Sequence, residues 1–285
     1  MKKRILGVLL PILFLFSGCS QGAESQTVLT LANVPAFSGE PYVVIDDNEP
    51  HFPEADFTSK SFEQYSELDA LGRCGPAYAN VGIETMPTEK RGNISQVKPT
   101  GWKSIKYDFV DGKSLYNRCH LIGFQLTAEN ANKKNLITGT RYMNVDGMLP
   151  FENMVADYVK ETKNHVLYRV TPIFEGDNLV ASGVQMEAKS VEDDGAGIEF
   201  HVYVYNNQPG VTIDYATGES WEEGQTPVSG VSGKSTYLLN TSTQKFHKED
   251  CASVKSIGSE NKKKYKGSRK DLIADGYTAC GQCKP

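Results

Sequence analysis

Arg118 beside His120, in the run Tyr116-Asn117-Arg118-Cys119-His120, couples a permanent cation to a base that titrates near neutrality. Such a pair can steady an anionic oxygen and take a proton from water. Downstream, Asn144 and Glu152 supply the hard oxygen atoms that magnesium prefers. The set is sparse enough to leave most of the ion's shell to water and phosphate. Asn135, in Lys133-Lys134-Asn135-Leu136-Ile137, lies between the two groups. Base, cation, metal and phosphate together describe a hydrolytic site.

These residues need elements to hold them. Ile198 to Tyr205 alternates strictly, with Ile198, Phe200, Val202 and Val204 on one face, which predicts a half-buried strand with His201 on its polar side. His165 to Phe174 and Leu179 to Ala188 read as two more strands joined at Glu175-Gly176-Asp177-Asn178, giving an antiparallel meander. Pro150 to Lys163 reads as a helix, because Pro150 suits its first turn and Met154, Val155, Tyr158 and Val159 fall on one face. Glu152 would then sit in the first turn, where the dipole favours its charge. Strand, helix, then strands points to the α+β class. Asn144 precedes Asp146-Gly147 and, taken alone, reads as a turn residue.

The run Asn117-Arg118-Cys119-His120, with Asn135, Asn144 and Glu152 after it, resembles the Asp-Arg-Gly-His site of the DNA/RNA non-specific endonucleases of the ββα-metal type, and among them the streptococcal secreted DNases and DNA-entry nucleases. The motif departs at Asn117 and Cys119 and matches at Arg118 and His120. The resemblance runs over about residues 70–205. It implies an antiparallel ββα-metal fold and a magnesium-dependent cleavage of DNA, with RNA as a further substrate. It also implies roles: His120 as base, Arg118 assisting the developing charge, Asn144 as the magnesium ligand, Glu152 orienting water of the ion's shell, Asn135 supporting the site, and Arg141 or Arg91 touching the DNA backbone.

Beyond the large unit, His247 and Cys251 are followed by Cys280-Gly281-Gln282-Cys283. One imidazole and three thiolates suit tetrahedral zinc, and so small a unit needs a staple. The spacing resembles the zinc-binding domain of the Ada DNA-repair protein, with His247 in place of its first cysteine. A disulfide among the three cysteines is the other reading. Cys74 and Cys119 are either a disulfide or two thiols.

The N-terminus is cationic at Lys2, Lys3 and Arg4, then apolar from Ile5 to Phe16, too short for a permanent span. Phe16-Ser17-Gly18-Cys19 resembles a bacterial lipobox, which implies a signal peptide over 1–19 and a lipid anchor on Cys19 at the outer face of the cell membrane; an ordinary cleaved signal is the alternative, and both put the mature chain outside the cytoplasm. Residues 20–40 read as a tether, 41–223 as the nuclease unit, 224–234 as a linker and 235–285 as the metal-binding unit. The net charge of −5 excludes an argument for nucleic acid from bulk charge. Residues 86–141 and 234–285, however, each carry six more basic than acidic residues. A non-catalytic surface receptor for DNA would use those two blocks and would need no base or metal ligand.

Overall fold

The computed structural model describes residues 34–225, 235–283 and 285. Cys19 and most of the 224–234 linker lie outside them. Among the described residues no helix is long and apolar enough to cross a membrane.

The chain enters through β1 (Tyr42–Val44), β2 (Phe62–Tyr65) and β3 (Ala77–Val81), reaches the hairpin pair β4 (Tyr116–His120) and β5 (Leu136–Thr140), and includes a single turn, α1 (Phe124–Thr127), between them. A π-helical segment (Met143–Met148) then runs directly into α2 (Leu149–Thr162). The meander β6 (Val166–Ile173), β7 (Gly183–Ser190) and β8 (Glu199–Tyr205) follows, closed by the short pair β9 (Val211–Ile213) and β10 (Ser220–Glu222). The main sheet is antiparallel in the order β1-β8-β7-β6-β3-β2, and β4 pairs with β5 apart from it. This is the expected α+β architecture, with a strand pair and a helix forming the ββα unit. Phe151, Val155, Ala156 and Val159 of α2 are buried in one core with Tyr168, Met186 and Phe200 of the sheet.

A smaller sheet, β13-β11-β12-β14, forms the C-terminal unit from β11 (Ser235–Asn240), β12 (Lys245–Lys248), β13 (Lys262–Gly267) and β14 (Thr278–Ala279), with α3 (Arg269–Ala274). Its core is Tyr237, Leu239, Phe246 and Leu272.

Several expectations are corrected. The β6–β7 connection is longer than the turn at residues 175–178: that turn forms, with Asn178 N–H donating to the Glu175 carbonyl at 3.0 Å, but Ile173 pairs with Gly183, so residues 174–182 form the loop around it. β8 is buried on both faces, because Val34, Phe37 and Ile45 cover Tyr203 and Tyr205 on the side expected to be polar. Residues 34–40 are accordingly docked and not tether: Tyr205 donates to the Pro35 carbonyl at 2.7 Å and Tyr142 to that of Gly39 at 2.6 Å. Finally, Pro150 and Glu152 do fall in the first turn of α2, but the helical run begins at Arg141, so the positive end of the dipole lies well back from Glu152. The run survives Pro150 because the bonding has already slipped to a π pattern, Leu149 N–H reaching the Asn144 carbonyl. Asp146-Gly147 makes no turn, and Gly147 lets the segment press on β8, since a Cβ there would lie 2.3 Å from a Val204 methyl.

Candidate active site

A cleft of about 650 Å³ is lined by His120 and Arg118 of β4, Asn144 of the π segment, Glu152 of α2, and Arg91 and Trp102 of the long loop between β3 and β4. Alternate residues of a strand share a face, which brings Arg118 and His120 to the same wall. Asn144 and Glu152 come from one continuous helical run opposite them.

His120 is buried, and its two ring nitrogens have different partners. Nε2 lies 2.7 Å from the Asn130 carbonyl, which can only accept, so Nε2 carries the proton. Nδ1 therefore holds the lone pair, and Arg91 Nη2 donates to it at 3.2 Å. Burial lowers the ring's pKa, the Asn130 carbonyl opposes this and Arg91 adds to it, the result being about 4. The imidazole is thus neutral at physiological pH and able to accept a proton at Nδ1.

Arg118 lines the cleft and is anchored there by neutral partners. Its Nε donates to the Val97 carbonyl at 2.5 Å, its Nη2 to that of Ser95 at 2.8 Å, and its guanidinium stacks 4.0 Å from the Trp102 ring centre. It positions the loop that forms the cleft wall, and Arg91 is the guanidinium at the base. Arg141 is held by Asp111 at 2.7 Å.

Asn135 lies outside the cleft and is fully buried. Its Oδ1 accepts from Ile122 N–H at 2.9 Å and its Nδ2 donates to the Ile122 carbonyl at 3.0 Å, locking the chain just after His120. It is a positioning residue. Asn206, which the sequence reading missed, does similar work: Nδ2 donates to the Thr138 and Ala181 carbonyls and Oδ1 accepts from Thr140 N–H, tying β5 to the main sheet. A single asparagine after a strand gives no pattern by which to find it.

The Asn144 side chain lies in the cleft with no hydrogen-bond partner among the described residues, so its carbonyl oxygen is free for a cation. The Glu152 carboxyl is enclosed in the cleft wall. Burial raises its pKa to about 7, against the opposing pull of Gln125 and Arg91. Gly123 lies directly against it: a Cβ there would fall 2.5 Å from Oε2. A free amide oxygen and a carboxyl whose charge lacks compensation fit a hard divalent ion.

The departure at Cys119 has a structural answer. Cys119 is fully buried in a regular strand and needs no glycine geometry. Its space is opened by Gly139, where a Cβ would meet Cys119 Sγ at 2.4 Å and Met143 Cε at 2.4 Å. Cys74 and Cys119 are both free thiols.

In the C-terminal unit the ligand atoms of His247, Cys251, Cys280 and Cys283 all lie within 4.8 Å of one another, with no disulfide among them. His247 Nδ1 is buried without a hydrogen-bond partner. Burial of Cys280 raises its pKa, but backbone N–H groups of Cys283 and Gln282 and the neighbouring thiols outweigh it and lower the value. An orphaned imidazole nitrogen among three thiols fits a soft tetrahedral metal centre. Asp46, His51 and His201 also approach one another, but His201 Nδ1 contacts the Glu49 carbonyl and Nε2 the Gln185 amide, both at 2.7 Å, so both ring nitrogens are satisfied.

A base with its lone pair aimed into a cleft that has free oxygen ligands, on a strand pair followed by a helix, defines a metal-dependent phosphodiester hydrolase. The family model for DNA/RNA non-specific endonucleases matches residues 55–192. The chain is similar to NucA from Streptococcus agalactiae with magnesium bound, at 26% identity and a TM-score of 0.55 over 62% of this chain and 86% of that one. The metal-free form of NucA gives 27% and 0.54 over 62% and 85%. Sda1 nuclease with bound zinc gives 28% identity and 0.50 over 65% of this chain and 97% of that chain.

Proposed function

We propose that the protein is a magnesium-dependent, sequence-nonspecific endonuclease that hydrolyses DNA, and RNA as a second substrate, outside the cytoplasm. The observation that carries this reading is the tautomer of His120. Its Nε2–H is committed to the Asn130 carbonyl, so the only proton acceptor it offers is Nδ1, in the cleft. A receptor that merely holds DNA needs cations for phosphate and has no use for a neutral buried base.

Once Arg91 turns from Nδ1 to the scissile phosphate, His120 Nδ1 takes a proton from water, and the resulting hydroxide forms a bond to phosphorus as the bond to the 3′ oxygen breaks, that oxygen taking a proton from solvent. Arg91, exposed apart from its bond to Nδ1, has N–H groups left for the scissile phosphate. Arg118 acts through the loop it anchors and Asn135 through the backbone after His120. Asn144 and Glu152 would hold magnesium, which supplies positive charge for the phosphate oxygens.

Outside the cleft, His247, Cys251, Cys280 and Cys283 would hold one zinc ion that staples the C-terminal unit. Cys19 would carry the lipid that keeps the chain on the outer face of the membrane.

The decisive experiment is plasmid nicking, with and without EDTA, by the wild type and His120→Ala. Cleavage falls by about 10²- to 10⁴-fold in the variant if general-base catalysis is its contribution, while DNA binding persists. Free imidazole restores part of the activity to His120→Gly. Cleavage by His120→Ala at the wild-type rate would remove His120 as the base, and binding without cleavage by the wild type would make DNA capture the function instead.

A further inference from the structure

The family match ends at residue 192 and leaves the C-terminal sheet without a role. We propose that this sheet carries a second, non-catalytic nucleic-acid site on its lysine-rich face, which holds long substrate near the cleft; its benefit to cleavage rests on the nuclease reading above.

β13 is the outer strand of its sheet, and Lys262, Lys263, Lys264 and Lys266 are all exposed. The register sets Lys262 opposite Asn240, Lys264 opposite Leu238 and Lys266 opposite Thr236. Residues directly opposed across an antiparallel pair share a face, so three ammonium groups line one face at about 6.8 Å intervals along the strand. None of the three residues opposite them is acidic. Among the described residues only Lys264 has an ion-pair partner, Glu249 at 2.6 Å.

Lysines on an edge strand guard against unwanted strand pairing. That does not account for Lys245, which is exposed on the interior strand β12 and sits opposite Asn240. It therefore extends the row begun by Lys262 across the sheet. The whole chain carries −5, yet residues 234–285 carry six more basic than acidic residues. Outside the cleft region a polyanion meets attraction chiefly here.

Charge rows that present ammonium groups and no shaped pocket suit the repeating phosphates of a nucleic-acid backbone, read without regard to base. That matches a cleft which cuts without sequence preference. Two sites on one chain raise the local concentration of a long polymer at the cleft and leave a fragment too short to span them unaffected.

The test uses the full chain with Lys245, Lys262 and Lys266 all changed to Gln, Lys264 being left in its ion pair. Binding of kilobase DNA is measured in EDTA, where no cleavage is required, so this readout stands or falls independently of the nuclease reading. Affinity should drop about 10-fold, and the salt slope should shrink by about 0.9 for each phosphate that the variant no longer neutralises. In magnesium, cleavage of limiting long DNA should slow by a similar factor, with a duplex of about 12 base pairs cut at the wild-type rate. The same three positions changed to Arg should retain binding. Unchanged affinity and salt slope in the Gln variant would overturn the proposal. So would an equal drop in the Arg variant, or weakened binding to phosphatidylglycerol vesicles with DNA binding intact.

Discussion

Gly123→Ala tests whether Glu152 works from the position it occupies. Gly123 has φ −58° and ψ 143°, a conformation any residue adopts, so alanine meets no backbone strain. The new Cβ would, however, stand 2.5 Å from Glu152 Oε2 and 2.8 Å from Cδ, where ordinary contact begins at 3.4 Å. The carboxyl must retreat by about 0.9 Å, and it can, being the end of a flexible side chain. A displacement near 1 Å at a reacting centre costs about 10²-fold in rate, equivalent to about 2.7 kcal/mol of transition-state stabilisation. Fixing a glycine at a compatible site stabilises the fold by about 0.4–1 kcal/mol through the unfolded chain. Activity and stability should therefore move in opposite directions. Initial rates of plasmid nicking, a thermal melt and DNA affinity in EDTA separate the two effects. A folded Gly123→Ala protein within twofold of the wild-type rate would refute the placement of Glu152 in the reaction.

His165 gives a pH test. Burial alone would lower its pKa, but hydrogen bonds to Glu192 at 2.6 Å and Glu84 at 3.2 Å outweigh it and raise the value. Its stabilisation is complete below the unfolded value of about 6.5 and fades as pH climbs through the folded value above it, so the melting advantage over His165→Gln should shrink from pH 6 to pH 8. An advantage constant over that range would contradict the ion pairing. For the C-terminal unit, elemental analysis of the full chain should find about one zinc per molecule, absent from Cys280→Ser; a metal-free protein with a disulfide among the cysteines would reverse that reading. Cys19→Ala should move the protein from the membrane fraction to the medium, and equal partitioning of the two forms would remove the anchor.

Local pattern carried a good deal of this site. Arg118 and His120 stand out because charge and base are adjacent in sequence, and the His247–Cys283 group because metal ligands keep characteristic spacings. What escaped was contact across long separations. Arg91 reaches His120 from 29 residues away, and Arg118 is claimed by carbonyls at Ser95 and Val97 in a loop without periodicity. The double burial of β8 was hidden because part of its second cover comes from Val34 and Phe37, within a stretch whose composition reads as tether. Asn144 beside Asp146-Gly147 looked like a turn because local propensity cannot see Val204, the side chain on which that glycine packs.

The π segment makes the site sensitive to chain length in an uneven way. A π turn is equivalent to one residue inserted into an α-helix. Deleting one residue between Asn144 and Pro150 would let the run revert to α geometry with both flanks in register, because the deletion removes the residue that the wide turn absorbs. A second deletion meets no such slack: with α2 fixed by Phe151, Val155 and Val159 in the core, Asn144 would rotate about the helix axis by about 100°, one residue's share of a turn, and leave the cleft. For this fold the first single-codon deletion within that span is absorbed and the second separates a well-packed protein from a working one.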